Sequence, residues 1–245
     1  MTTITGGRTL YGQALGVLML DTVFPRLAGD IGNALTWPFP VQYKIVKGAR
    51  AERIMGASPD PALLEPFITA AKELEEEGVR AIATSCGFLA AFQRELAEAV
   101  SVPVLTSALL QVPMVSQMLG PSSSVGILTE RPNLTEGHFS ATGWGSDQFD
   151  VHVNALPPNA VFPTVFIDGG FEADAELLRS EMIQAAKDLV KRRPDTGAIV
   201  LECTNFVPFS AAIREASGLP VYDIYTLVMQ NYFATVGQSF PARLG

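Results

Sequence analysis

Two stretches of this chain, AIATSCGF at 81–88 and AIVLECTNF at 198–206, run in the same register. The chain's two cysteines, Cys86 and Cys203, lie 117 positions apart. At that offset Ala81 meets Ala198, Ile82 meets Ile199, Phe92 meets Phe209, Pro103 meets Pro220 and Val104 meets Val221. Each half therefore reads as an apolar strand, a cysteine, a helix and a Pro-Val strand. An internal duplication of this kind restricts the fold to two copies of one βαβ layout.

The remaining segments fit that layout. ALGVLML (14–20) reads as a buried strand and VQYKIV (41–46) alternates. SVGILTE (124–130) and FDVHVNAL (149–156) repeat the pair in the second half. Asp60 is placed to cap a helix ending at Gly78, with Leu63, Phe67 and Leu74 on one face. Further helices are expected at 89–99, 107–119, 172–193, from about Ser210, and at 225–236, with a strand in LPVYDI (219–224). Strands alternating with helices predict an α/β fold of two similar lobes. Each lobe is expected to be a mainly parallel sheet flanked by helices, with the active site in the cleft between them. The first lobe is expected to comprise 1–113 plus 224–245, and the second 114–223.

Charge and hydropathy exclude several partners. The formal net charge is −8, and the one basic trio, Lys191-Arg192-Arg193, closes an expected helix where cations suit the dipole. Nucleic acid is therefore not an expected ligand. LGVLML (15–20) is far too short to span a membrane, and MTTITGGRTL lacks a signal-peptide pattern. The expectation is a cytoplasmic protein with reduced thiols. Two cysteines fall short of a zinc set.

In open parallel sheets, ligands sit beyond the carboxyl ends of the strands. Both cysteines occupy that position, each before a helix whose positive end favours the thiolate. Two lobes facing each other would place a thiol on either side of one carbon. One sulfur would remove a proton and the other return one. The backbone amides at Gly87, Phe88, Thr204 and Asn205 are placed to hold a carboxylate and the enolate charge derived from it. Arg26 and Arg131, each after the first strand of its half, are further candidates for anion binding. Glu202 has three open roles: facing away, holding a substrate ammonium, or keeping Cys203 protonated. His138 and His152 lie away from both motifs. The loop 21–40, with Trp37-Pro38-Phe39-Pro40, reads as a lid or an interface strip.

On TSCGF (84–88), ECTNF (202–206), the Val-Pro-Val and Leu-Pro-Val strands and LMLDT (18–22), the chain resembles the aspartate/glutamate/hydantoin racemase superfamily. The resemblance implies a cofactor-independent enzyme with no metal, in which Cys86 and Cys203 are the acid/base pair. It places Thr204 and Asn205, with Thr84 and Ser85 opposite, around a small carboxylate-bearing substrate, and gives Asp21 the role of orienting the first thiol. It implies a racemase or epimerase acting beside the carboxylate of an amino acid or a derivative such as aspartate, glutamate or hydantoin. The alternatives are a maleate-type cis–trans isomerase, an arylmalonate-type decarboxylase, or a non-catalytic two-lobe binding protein. A homodimer or higher homo-oligomer is also implied. The chain departs from glutamate racemases at Gly87-Phe88, where those enzymes typically carry Asn-Thr, and at Thr204-Asn205, where they carry Thr-His. Phe88 makes the surroundings of the first thiol more apolar.

Overall fold

The computed structural model describes residues 3–237, so the outermost parts of the first expected lobe, 1–2 and 238–245, lie outside the described residues. Two four-stranded sheets form, each entirely parallel. The first contains β1 (Leu15–Leu20), β2 (Val41–Val46), β3 (Ile82–Thr84) and β4 (Val104–Leu105), in the order β2-β1-β3-β4. The second contains β5 (Ser124–Thr129), β6 (Val151–Ala155), β7 (Thr196–Leu201) and β8 (Val221–Tyr222), in the order β6-β5-β7-β8. Continuous apolar runs at β1 and β5 are buried along their whole length, as central parallel strands covered on both faces must be.

The duplication survives at the level of single hydrogen bonds. Ile82 pairs with Val104 in one sheet and Ile199 with Val221 in the other, keeping the register seen in sequence. At the strand ends, the Ser85 amide donates to the Leu18 carbonyl and the Glu202 amide to that of Leu128, both at 3.0 Å. The central strands share a further device. A Cβ at Gly16 would sit 2.9 Å from Leu74, and one at Gly126 would sit 2.7 Å from Leu189. Glycine lets α1 (Leu64–Glu77) and α6 (Ala175–Arg192) pack a leucine straight onto the sheet in each half.

Most helices lie where the periodicity places them, but several begin as 3-10 turns. Asp60 caps Pro61–Leu63 before α1 starts, and Gly78 closes that helix at φ 94°. Gly87–Phe92 and Thr204–Phe209 are 3-10 turns leading into α2 (Gln93–Ala99) and α7 (Ser210–Ser217). Between α2 and α7 lie α3 (Val112–Met118), α4 (Glu136–Ala141), α5 (Val161–Phe166) and α6. The α5 helix has no counterpart in the sequence expectation. Its two prolines upstream and one within, in PPNAVFPTVF, hide a short buried helix. The last helix, α8 (Ile224–Thr235), sends Ile224 and Val228 into a cluster with Leu15, Val17 and Leu105. Trp37 and Phe39 of the 21–40 loop stack against Tyr225 and Tyr232 of α8, at 5.5 and 4.1 Å between ring centroids. Among the described residues no helix is long and apolar enough to cross a membrane.

Candidate active site

Cys86 follows β3 and Cys203 follows β7, and each is the N-cap of its 3-10 turn. Both are free, both are buried, and both line the same small cavity of about 20 Å³ between the two sheets. Thr22, Phe24, Arg26, Met55, Phe88, Glu130, Phe166 and Glu202 complete the chemistry of its walls. An outer pocket of about 350 Å³ shares Thr22, Phe24, Ala51 and Phe166 with it. Phe24 and Phe166 meet edge to face at 5.0 Å where the two spaces adjoin.

The lobes are joined directly at this cavity. Thr204 Oγ1 donates to the Ser85 carbonyl at 2.8 Å, linking the two cysteine motifs. Ser85 Oγ accepts from the Leu20 amide at 2.9 Å, which ties the first motif to the end of β1. Gly87 lies against Glu202 so closely that a Cβ there would overlap the Glu202 carbonyl and carboxylate. Asn205 Nδ2 donates to Asp30 Oδ2 at 2.8 Å, and its Oδ1 lies 3.6 Å from Cys203 Sγ. Asp30 in turn pairs with Arg26 at 2.6 Å, and Arg26 Nη2 donates to Thr22 Oγ1 at 2.9 Å.

The expected stabilisation of thiolates by helix N-termini is corrected by burial. Burial pushes the Cys86 thiol far up, the Glu202 charge adds to this, and the Phe88 and Leu89 amides only partly oppose it. Cys203 is raised well above an ordinary thiol by burial and by Glu130 and Glu202, with the Asn205 amide opposing. The two carboxyls move the same way. Burial, then Glu202, push Glu130 up to about 8, against a hydrogen bond from Cys203. Burial pushes Glu202 up to about 7, against the Thr129 hydroxyl, which donates to Oε2 at 2.7 Å. The resting site therefore holds two neutral thiols beside two carboxyls that titrate near neutrality.

Ser85, Gly87, Phe88, Thr204 and Asn205 all line the cavity. Thr84 does not. Its hydroxyl donates to the Thr106 carbonyl at 2.6 Å, and it ties β3 to the chain after β4. Asp21 also lies off the cavity, in the outer pocket, where it accepts from the Gly48 amide at 3.2 Å. Side chains alternate along the end of β1, so it is Leu20, not Asp21, that faces the thiols. Of the two arginines, Arg26 lines the cavity and Arg131 pairs outward with Asp168 at 3.9 Å. Glu202 faces inward. His138 is buried in a capping box with Thr135, its ring centroid 5.1 Å from that of Phe88 in a T-shaped contact. His152 sits on β6 beside Thr196.

Sequence reasoning missed Glu130, Phe24, Met55, Phe166 and the Asp30 anchor. Glu130 had a signal. Gly16 and Gly126 are equivalent in the two central strands, and the same offset sets Leu20 against Glu130. The phenylalanines arrive from a loop and from α5, which carry no repeat.

The fold is shared with solved enzymes of low sequence identity. Allantoin racemase from Klebsiella pneumoniae superposes with a TM-score of 0.60 at 14% identity, over 91% of this chain and 88% of that one. Arylmalonate decarboxylase gives 0.57 at 15%, over 94% and 96%. Glutamate racemase from Aquifex pyrophilus gives 0.56 at 14%, over 92% and 84%. Sequence relatives point elsewhere in chemistry. A dimethylsulfoniopropionate lyase of Durusdinium sp. clade D is 30% identical over 90% of this chain and 73% of its own length. Dimethylsulfoniopropionate lyase 6 of Emiliania huxleyi is 27% identical over 87% of this chain, which spans 57% of that protein. These relatives overturn the expectation of an amino-acid racemase or epimerase, an isomerase, because they are lyases; the isomerase, decarboxylase and binding-protein alternatives do not name that chemistry either. The physical reason is that racemisation and elimination both begin by removing a proton beside a carboxylate, so the cysteine motifs read alike in both. The Asp/Glu/Hydantoin racemase model matches residues 51–231, and with two parallel α/β units meeting at a pair of thiols the chain belongs to that family.

Proposed function

We propose that the protein is a lyase that cleaves dimethylsulfoniopropionate, or a close β-sulfonio carboxylate, by β-elimination. One observation carries the reading: two buried thiols share a single cavity with two carboxyls that titrate near pH 7–8, in a chain whose relatives cleave that substrate by name.

Cys203 is the base. It shares the cavity with Glu130, a carboxyl whose raised proton affinity suits it to take up the thiol proton. The resulting thiolate removes a proton from the carbon next to the substrate carboxylate. The electron pair of that C–H bond becomes the new C=C bond. The C–S bond breaks with both its electrons staying on sulfur, which leaves as a neutral dialkyl sulfide. The other product is acrylate; Cys203 ends protonated, and the proton taken up by Glu130 is released to solvent, which restores the starting site. A neutral sulfide needs no proton to depart, so a single base suffices. The first amides of each 3-10 turn have no intrahelical acceptor and are available to the enolate-like charge. Cys86, across the cavity, supports the same charge as a neutral S–H donor.

The test is direct. Purified protein incubated with dimethylsulfoniopropionate should release dimethyl sulfide and acrylate in equal amounts. Cys203→Ser should lose about a thousandfold or more in kcat, in the range of a general base, and Cys86→Ser should lose less. No sulfide from this substrate or its near homologues, or full activity in Cys203→Ser, would overturn the assignment.

A further inference from the structure

We propose that Glu130 and Glu202, with the faces of Phe88 and Phe166 and the Met55 thioether, form a subsite for a methylated onium cation, the β-substituent of the substrate. The inference rests on the lyase reading and extends it to how the leaving group is recognised.

Both carboxyls are almost fully enclosed, at 3% and 1% exposure, and both line the thiol cavity. Among the described residues neither forms a salt bridge: Arg131, which acts on Glu130 only at longer range, pairs with Asp168, and Arg26 with Asp30. Glu202 Oε2 is satisfied by Thr129, but Oε1 of Glu202 and Oε1 of Glu130 are buried without a hydrogen-bond partner among the described residues. Two such groups side by side are costly to bury, and a core that needed only to pack would hold apolar residues there.

The surrounding walls narrow the cation's class. A primary ammonium needs several acceptors for its protons. An alkylated sulfonium or quaternary ammonium has none to give, and its charge spreads over methyl groups. It suits aromatic faces, a polarisable thioether and nearby negative charge. Phe88, Phe166 and Met55 provide those walls. The Phe24 face already carries the Arg26 guanidinium at 4.5 Å. Arg26 thus brings a fixed cation, paired with Asp30, to the wall of the same cavity, where it can attract a substrate carboxylate. The cavity thus offers both halves of a zwitterion: Arg26 and the turn amides for the carboxylate, and Glu130 and Glu202 for the onium, with the negative charge passing to the Cys203 sulfur in the same cavity when Glu130 takes up its proton.

The experiment reads binding, not turnover. 3-(Trimethylammonio)propionate carries a permanently cationic head that is a poor leaving group, and 4,4-dimethylpentanoate carries the same carboxylate with an uncharged tert-butyl head of the same shape. Calorimetric titration of the wild-type protein should show the onium bound at least about tenfold tighter. Glu130→Gln and Glu202→Gln should each shrink that preference, and the double variant should abolish it while still binding the neutral acid as before. Retained binding of the neutral acid reports an intact fold; where the double variant does not bind it, the two single variants decide. No preference in the wild type, or an undiminished one in the variants, overturns the subsite. Failure of lyase activity with the preference intact would count against the reaction alone; sulfide release without the preference would count against the subsite alone.

Discussion

Asp30 Oδ2 accepts a hydrogen from Asn205 Nδ2 at 2.8 Å, and this bond decides which way the amide beside Cys203 faces. With Nδ2 held by Asp30, Oδ1 is turned towards Cys203 Sγ at 3.6 Å. The contact joins the 21–40 loop, after β1, to the second cysteine motif, so the loop is part of the site's framework. It also answers why the GDIGN turn is built as it is: Asp30 Oδ1 binds Arg26 and the Gly32 amide, leaving Oδ2 for Asn205.

Asp30→Asn should therefore disturb Cys203 without touching it. If the new Nδ2 occupies the Oδ2 position, Asn205 must flip and present its own NH₂ to the sulfur. The Arg26 ion pair, with Asp30 buried at 2% side-chain exposure, is lost as well. The expected result is a stability loss of about 1–3 kcal/mol and a fall in kcat larger than any change in KM. Thermal melting and steady-state kinetics on the same preparation check both. Wild-type kcat in a stable variant would show that the orientation of Asn205 does not matter.

Gly87 meets a different constraint, close approach across the two lobes. Any Cβ would overlap the carbonyl and the carboxylate of Glu202, and that carbonyl is backbone of a residue whose amide is anchored on the Leu128 carbonyl. Gly87→Ala should cost about 1–3 kcal/mol as an overpacked contact and displace Glu202 from the cavity. A chemical denaturation curve with an unchanged midpoint would refute the tight fit.

Much of this arrangement could be read from residue order, because the duplicated unit shares its register. The Cys86/Cys203 offset predicts equivalent strand ends, and the strand pairs Ile82–Val104 and Ile199–Val221 keep it. Parallel sheets then put both thiols at the same kind of edge. What residue order hides is whatever the two halves do not share. Phe24 comes from a loop, Phe166 from a helix interrupted by Pro163, and Glu130 replaces the leucine of the equivalent strand. Those unshared side chains line the same cavity as the two thiols. The dipole argument for Cys86 and Cys203 failed for a related reason: one short turn's amides are outweighed once the sulfur is sealed from water.

The aromatic pair at the cavity mouth sets a size limit. The inner space of about 20 Å³ holds little more than a water, whereas the adjoining pocket offers about 350 Å³. A substrate that passes from the outer pocket to the thiols is expected to part Phe24 from Phe166, which line both spaces. Phe166→Leu should retain core packing and widen the mouth. The expected outcome is a rise in kcat/KM for bulkier dialkylsulfoniopropionates relative to the dimethyl compound. An unaltered ratio across a series of alkyl lengths would show that the pair does not gate access.

The pH dependence of stability follows from Glu130 and Glu202. Both carboxyls are raised in the folded protein, Glu130 to about 8 and Glu202 to about 7, with burial the main cause, whereas in the unfolded chain they titrate near 4.5. Between those values the folded state holds more protons than the unfolded one, so their contribution is full below about pH 4.5 and is lost as pH rises through 7 to 8. The protein should melt at a higher temperature at pH 5.5 than at pH 8.5. Other groups titrate over this range too, so the decisive comparison is with Glu130→Gln/Glu202→Gln, which removes the two ionisations and should flatten that part of the profile. An onium ligand acts against the same equilibrium: it favours the charged carboxylates, so its binding should release protons at pH 7. Titrations in buffers of different ionisation enthalpy measure that release. A wild-type profile that already matches the double variant, with no proton release on binding, would mean that the two carboxyls keep ordinary affinities for protons despite their burial.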